Sequence, residues 1–153
     1  TSPIFTEKSH MPNKTARLIP YLTFDGNCEE ALNFYKDVFG AKLTIVTRYD
    51  NPAMKAPEHY KNKILHARLE LNDNFAIYAS DTFPGKPTHK TPGDVSFSIL
   101  YFNTLDEAKT VYEKLAAGGK PGLPFAKQFW GDYHGNLTDK YGFNWNINFE
   151  EPK

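Results

Sequence analysis

The residue types best suited to chemistry fall in two short alternating stretches. In ILHARLEL, from Ile64 to Leu71, the apolar Leu65, Ala67, Leu69 and Leu71 alternate with His66, Arg68 and Glu70. Side chains of a strand point to its two faces in turn, so the three polar groups share one face. There His66 is a candidate general base, suited to proton transfer near neutrality, or a metal ligand. The competing reading is a structural histidine bonded to a neighbouring strand or to Glu70. Arg68 and Glu70 either pair with each other, which stabilises little at a surface, or hold a substrate carboxylate. In Phe143 to Phe149 the amides of Asn144, Asn146 and Asn148 alternate with Phe143, Trp145, Ile147 and Phe149. That amide face is either solvated or a set of hydrogen-bonding groups for a polar ligand. Phe129-Trp130 and Trp145 add large aromatic surfaces, suited to a core, a subunit contact or the wall of a pocket for an apolar or aromatic ligand.

Other reactive types are sparse. Cys28 is the one cysteine, so neither an internal disulfide nor a thiolate zinc cluster can form. At the first turn of a helix its thiolate is favoured, whereas burial makes it inert. His59, His89 and His134 have no partner at metal-ligand spacing and read as surface residues near turns. Eighteen basic residues balance eighteen acidic ones, which leaves no field for nucleic acid or an anionic membrane. No apolar run approaches the roughly 18 residues of a membrane span. The N-terminal stretch lacks the basic-then-apolar layout of a signal peptide. A cytoplasmic protein with no nucleic-acid or membrane partner is expected.

These residues need elements to position them. YLTFDGNCEEALNFYKDVFGA, from Tyr21 to Ala41, reads as a strand, an Asp25-Gly26 turn and a helix. Asn27 is the expected N-cap, with Glu30 three residues on. Ala31, Phe34, Tyr35 and Val38 form the apolar stripe, and Gly40 the stop. The pattern returns 77 positions later. Phe97 to Phe102 is the strand and Thr104 the cap, with Glu107 three residues on. Ala108, Val111, Tyr112 and Leu115 form the stripe, and Gly118-Gly119 the stop. Three strands are expected after each helix: Lys42–Tyr49, Ile64–Leu71 and Phe75–Ser80 in the first half, then Leu123–Trp130, Asp132–Thr138 and Phe143–Phe149. The division is a flexible arm over 1–16, one module over 17–81, a Pro/Gly-rich linker over 82–94 and a second module over 95–150, forming one domain. The fold class is α+β: two βαβββ modules forming a cupped mixed sheet with helices on the outer face.

Several of these stretches together carry a resemblance: Tyr21 to Ala41, His66-Ala67, Ala79-Ser80-Asp81, Leu115 to Gly119, Phe129-Trp130-Gly131, Leu137 to Gly142 and Trp145-Asn146-Ile147-Asn148. Over about residues 18–149 the chain resembles the PhnB-like branch of the vicinal oxygen chelate superfamily. That superfamily holds glyoxalase I, the fosfomycin and bleomycin resistance proteins and the extradiol dioxygenases. The resemblance implies paired βαβββ modules and, commonly, a homodimer. In metal-using relatives a divalent ion is held by His, Glu or Gln at four places. Counted from Phe34-Tyr35 and from Gly142, these fall near Pro20, at Ile77 to Ala79, near Ser96 and at Asn146. None is a strong ligand for a hard cation, so no cofactor and no tight catalytic metal are expected. Some members carry the label of a ubiquinone-pathway methyltransferase, yet no glycine-rich S-adenosylmethionine turn follows the first strand. The expected function is binding of a small-molecule ligand through Arg68, Glu70, Phe129, Trp130, Trp145, Asn146 and Asn148. The alternative is a lyase-, isomerase- or oxygenase-type enzyme using His66 or a relocated divalent metal, and a third is a bare homodimeric scaffold.

Overall fold

Alternation and capping translate into nine strands and two α-helices, with two short 3-10 turns at Pro52–Met54 and Glu58–Tyr60, among the residues 16–86 and 93–152 that the computed structural model describes. The expected arm up to residue 15, the middle of the expected linker and His89 lie outside the described residues. The first module comprises β1 (Tyr21–Phe24), α1 (Cys28–Phe39), β2 (Lys42–Arg48), β3 (Ile64–Asn72) and β4 (Phe75–Asp81). The second comprises β5 (Phe97–Ile99), α2 (Leu105–Ala116), β6 (Lys120–Pro121), β7 (Ala126–Lys127), β8 (Tyr133–Thr138) and β9 (Asn144–Phe149).

The strands form two mixed sheets, ordered β1-β4-β3-β2 and β5-β9-β8-β6, with β7 also paired to β8. In each sheet the first strand runs parallel to the last and the other pairs are antiparallel. The two βαβββ modules and the α+β class are therefore as expected. The expected cupped mixed sheet is made of these two sheets, with no ladder between them among the described residues.

Both helices lie on the apolar faces of these sheets. Leu22, Phe24, Ala67, Leu69, Ile77 and Ala79 meet Ala31, Leu32 and Tyr35 of α1 in one core that continues to Val111, Leu115, Trp145 and Ile147 of the second module. Burying each such leucine or isoleucine stabilises the fold by about 1.5–3 kcal/mol. The buried stripe of α2 is the expected Ala108, Val111, Tyr112 and Leu115. That of α1 is rotated slightly, to Cys28, Ala31, Leu32 and Tyr35.

The caps differ in kind. Thr104 Oγ1 accepts the Glu107 N–H at 3.1 Å, as its position in the sequence suggests. Asn27 makes no side-chain cap bond. The first free N–H of α1, from Cys28, goes instead to Asp81 Oδ1 at 2.9 Å, from the far end of β4. Gly40 closes α1 in the left-handed conformation, with φ 67°.

Two expected strands come out shorter. Between Lys120 and Trp130, Pro121 and Pro124 offer no ladder N–H, and only Lys120–Pro121 and Ala126–Lys127 pair with β8. Phe129 and Trp130 fall in a turn closed by Gln128 N–H to Asp132 O at 2.8 Å. β5 stops at Ile99, shortly before Tyr101, whose φ is 63°.

Candidate functional site

With one face of each sheet under a helix, the other carries the polar side chains. On the first sheet, β1, β4 and β3 bring Tyr21, Tyr78, His66 and Arg68 together. Tyr21 stands opposite Tyr78, and Tyr78 opposite Arg68. The Tyr21 hydroxyl lies 2.9 Å from His66 Nδ1, and the two rings stack at 5.7 Å. Tyr78 meets the same imidazole edge-on at 5.5 Å, and the Arg68 guanidinium lies 5.1 Å over the Tyr78 ring. Arg68 Nε–H points at His66 Nε2 at 3.4 Å. A guanidinium only donates, so Nε2 accepts and the ring proton sits on Nδ1, donated to Tyr21. In this arrangement the His66 imidazole bridges a phenol and a guanidinium.

On the second sheet the open face is built of amides and hydroxyls. Asn136 stands opposite Asn146, His134 opposite Asn148, and Thr138 opposite Asn144. Asn148 Oδ1 meets His134 Nδ1 at 2.8 Å, and Thr138 Oγ1 donates to Asn144 Oδ1 at 2.9 Å. A cavity of about 250 Å³ opens on this face, lined among others by Ser96, Lys120, Asn136, Asn144 and Asn146. A second, of about 360 Å³, lies where the two sheets approach, with Ile77, Phe97 and Trp145 in its wall and Arg17 and Asp73 also lining it.

Two buried carboxylates hold these faces in place. Asp81 accepts the N–H groups of Cys28 and Ile64, each at 2.9 Å, tying α1 and β3 to the end of β4. Asp139 accepts the Tyr35 hydroxyl at 2.5 Å and Trp145 Nε1 at 2.8 Å on one oxygen. Its other oxygen takes the N–H groups of Tyr141 and Phe143, at 2.8 and 3.1 Å. Burial, reinforced by the Asp139 charge, pushes the Tyr35 phenol far above its ordinary range and keeps it a donor.

His66, Arg68 and Glu70 do share one face, but Arg68 lies against Tyr78 and His66 rather than Glu70; among the described residues the two form no ion pair. Asn144, Asn146 and Asn148 share the open face of β9 as expected. Trp145 is buried on the helix side among Tyr35, Phe39 and Phe97. Phe129 is 96% exposed and Trp130 53%, so neither joins the core. His134 is not a turn residue on the surface: it is half-buried within β8 and bonded to Asn148. His59 is exposed. Cys28 is fully buried, and burial raises its thiol pKa, so the helix dipole does not prevail.

Tyr21, Tyr78, Asn136, Asp81 and Asp139 were not singled out in the sequence. The alternation of β1 and β4 carried the signal for the two tyrosines. Of the four positions that the resemblance assigns to metal ligands, two carry an amide and a hydroxyl that meet each other, Asn146 Nδ2 to Ser96 Oγ at 2.8 Å. Among the described residues no group of three His, Cys, Asp or Glu converges.

The sequence model described as 3-demethylubiquinone-9 3-methyltransferase matches residues 16–148. Protein YjdN of Escherichia coli is 30% identical over 145 residues, covering 86% of this chain and 93% of the relative. The crystal structure of protein PA1353 from Pseudomonas aeruginosa superposes with a TM-score of 0.77 at 34% identity, covering 90% of this chain and 99% of that one. A PhnB protein from Bacillus cereus gives 0.72 at 27% identity, over 88% and 99%. A glyoxalase-related enzyme from Fulvimarina pelagi, at 19% identity and a TM-score of 0.56, over 88% and 89%, shares the fold.

Proposed function

This chain belongs to the 3-demethylubiquinone-9 3-methyltransferase family, the PhnB-like proteins of glyoxalase-type fold, and we propose that it binds a small molecule on the open faces of its sheets without a tightly held catalytic metal. The observation that carries this is the contrast between the faces. The helix sides are closed by a continuous apolar core, while the opposite side carries imidazole, guanidinium and phenol groups on the first sheet and amides around a cavity of about 250 Å³ on the second.

The activity in the family description fits this chain poorly. α1 follows β1 through Asp25-Gly26-Asn27, and its N-terminus already receives the buried Asp81 carboxylate. The N–H that this helix end would offer an anionic group of S-adenosylmethionine is thus taken by a carboxylate of the chain itself, and methyl transfer is not proposed.

A second reading is an enzyme of lyase, isomerase or oxygenase type with His66 as acid–base group. The 2.9 Å contact between Tyr21 and His66 favours it. On either reading the proposed working unit is a homodimer, because two open polar faces on one chain give a partner copy surface with which to enclose a ligand.

Protein purified without chelator should contain far less than one equivalent of metal. It should show no thermal shift of several degrees with Mn, Ni or Zn; a stoichiometric metal would overturn the metal-free reading. His66→Ala should change unfolding free energy by less than about 1 kcal/mol, as half-exposed polar groups do, while abolishing the thermal shift given by organic ligands of the first open face. A large stability loss with an unchanged ligand response would make His66 structural.

A further inference from the structure

The amides on the open face of the second sheet look equivalent in the sequence, but their hydrogen bonds are not. Asn144 is spent: Oδ1 accepts from Thr138, and Nδ2 donates to the carbonyls of Gly93 and Val95 at 3.1 and 3.0 Å. Asn148 is spent on His134 and on the Ile99 carbonyl at 3.3 Å. The central cross-strand pair differs. Asn136 Oδ1 accepts the Leu123 N–H at 2.8 Å. A backbone N–H can only donate, so this bond fixes the amide with Nδ2 left over, and Nδ2 has no partner among the described residues. The site is made for that orientation: a Cβ on Gly122 would stand 2.1 Å from Asn136 Oδ1. Asn146, directly opposite, directs Nδ2 to Ser96 and leaves Oδ1 with no partner among the described residues.

One unspent donor and one unspent acceptor therefore face the same cavity of about 250 Å³ from neighbouring strands. Cross-strand neighbours stand about 5 Å apart, a separation from which two side chains reach the C=O and N–H of a single planar group. Lys120 lines the same cavity and forms no ion pair among the described residues.

We infer that this cavity, resting on the reading of the open faces as ligand-binding, recognises a small ring whose cis-amide edge lies beside a carboxylate, a lactam acid being the simplest case. Asn136 Nδ2 donates to the lactam carbonyl, Asn146 Oδ1 accepts the lactam N–H, and Lys120 pairs with the carboxylate. A site whose polar groups are matched in this way rejects an analogue lacking them, because they would be left unpaired once water is displaced.

The experiment titrates isotope-labelled protein with pyroglutamate, with cyclopentanecarboxylate (same ring and carboxylate, no lactam) and with pyrrolidinone (lactam, no carboxylate), following side-chain amide NMR signals. Pyroglutamate should move the Asn136 and Asn146 signals and bind about tenfold or more tightly than either analogue. Lys120→Met should reduce it to the level of pyrrolidinone, and Gly122→Ala should abolish the preference for the lactam. Equal binding of the carbocyclic acid, or no movement of the two signals, overturns the inference. The comparison of the three compounds needs no variant, so a misfolded mutant does not blunt it. Failure here together with ligand responses at the His66 face would sink the lactam acid and leave the binding function standing.

Discussion

Asp139 shows how one residue can set the position of a whole face. Its two oxygens take four donors from α1, from the turn after β8 and from Trp145. Asp139→Asn would aim an NH₂ at donors that have nothing else to meet. It should cost about 3 kcal/mol in urea unfolding, the scale of breaking a buried charged network, and should shift the Trp145 emission to the red. Little in the sequence marked this role, because an aspartate in a Thr-Asp-Lys-Tyr-Gly turn looks like any surface turn residue. Its burial to 2% exposure is decided by Tyr35, more than a hundred positions away. His66, Arg68 and Glu70 were legible as one face because strand alternation is local. The partners of His66 and Arg68 were not, since Tyr21 and Tyr78 come from other strands.

At the scale of elements, the two helices make a controlled comparison. Thr104→Ala removes a cap bond and should cost about 1 kcal/mol, whereas Asn27→Ala should change stability by only a few tenths; equal losses would contradict the assignment of the caps. The end of β2 is tied to α1 by Arg48, which grips both oxygens of Glu29 at 2.9 Å and also reaches the Asn62 carbonyl. The hydrogen bond from Arg48 holds the Glu29 carboxyl below its usual range. A lowered folded-state pKa stabilises above the ordinary carboxylate value and loses that contribution as pH falls through the depressed one. Both side chains are about a third to a half exposed, so the pair contributes less than about 1 kcal/mol after solvent screening. Melting curves of Glu29→Gln and the parent should therefore differ near neutrality and converge at acid pH. Alternation predicted the bounds of β3, β4 and β9 well, but at the ends of β3 it misplaced the buried face: Ile64 is buried, Leu65 only half-buried and Leu71 exposed. It failed between Lys120 and Trp130, where prolines leave the ladder and backbone groups bond the Asn136 side chain and main chain instead.

At the scale of the molecule, α1 and α2 are both twelve residues long, start 77 positions apart in the sequence, and each enters a sheet of the same strand order. That duplication was readable because it rests on periodicity. The division into two sheets was not, because it depends on strand edges that meet or fail to meet in space. Analytical ultracentrifugation should give a dimer, and a monomer at working concentrations would remove the partner copy from the proposed enclosure of ligand. The unlike caps also have a consequence in time. The cap of α2 lies within four residues of the helix it starts, so that helix can nucleate from its own neighbourhood. The cap of α1 comes from Asp81, 53 residues downstream of Cys28, and cannot exist before β4 has docked. Kinetically, Thr104→Ala should slow refolding in a stopped-flow chevron, while Asp81→Asn should mainly speed unfolding. The opposite partition would mean that the first half of the chain, not the second, nucleates the fold.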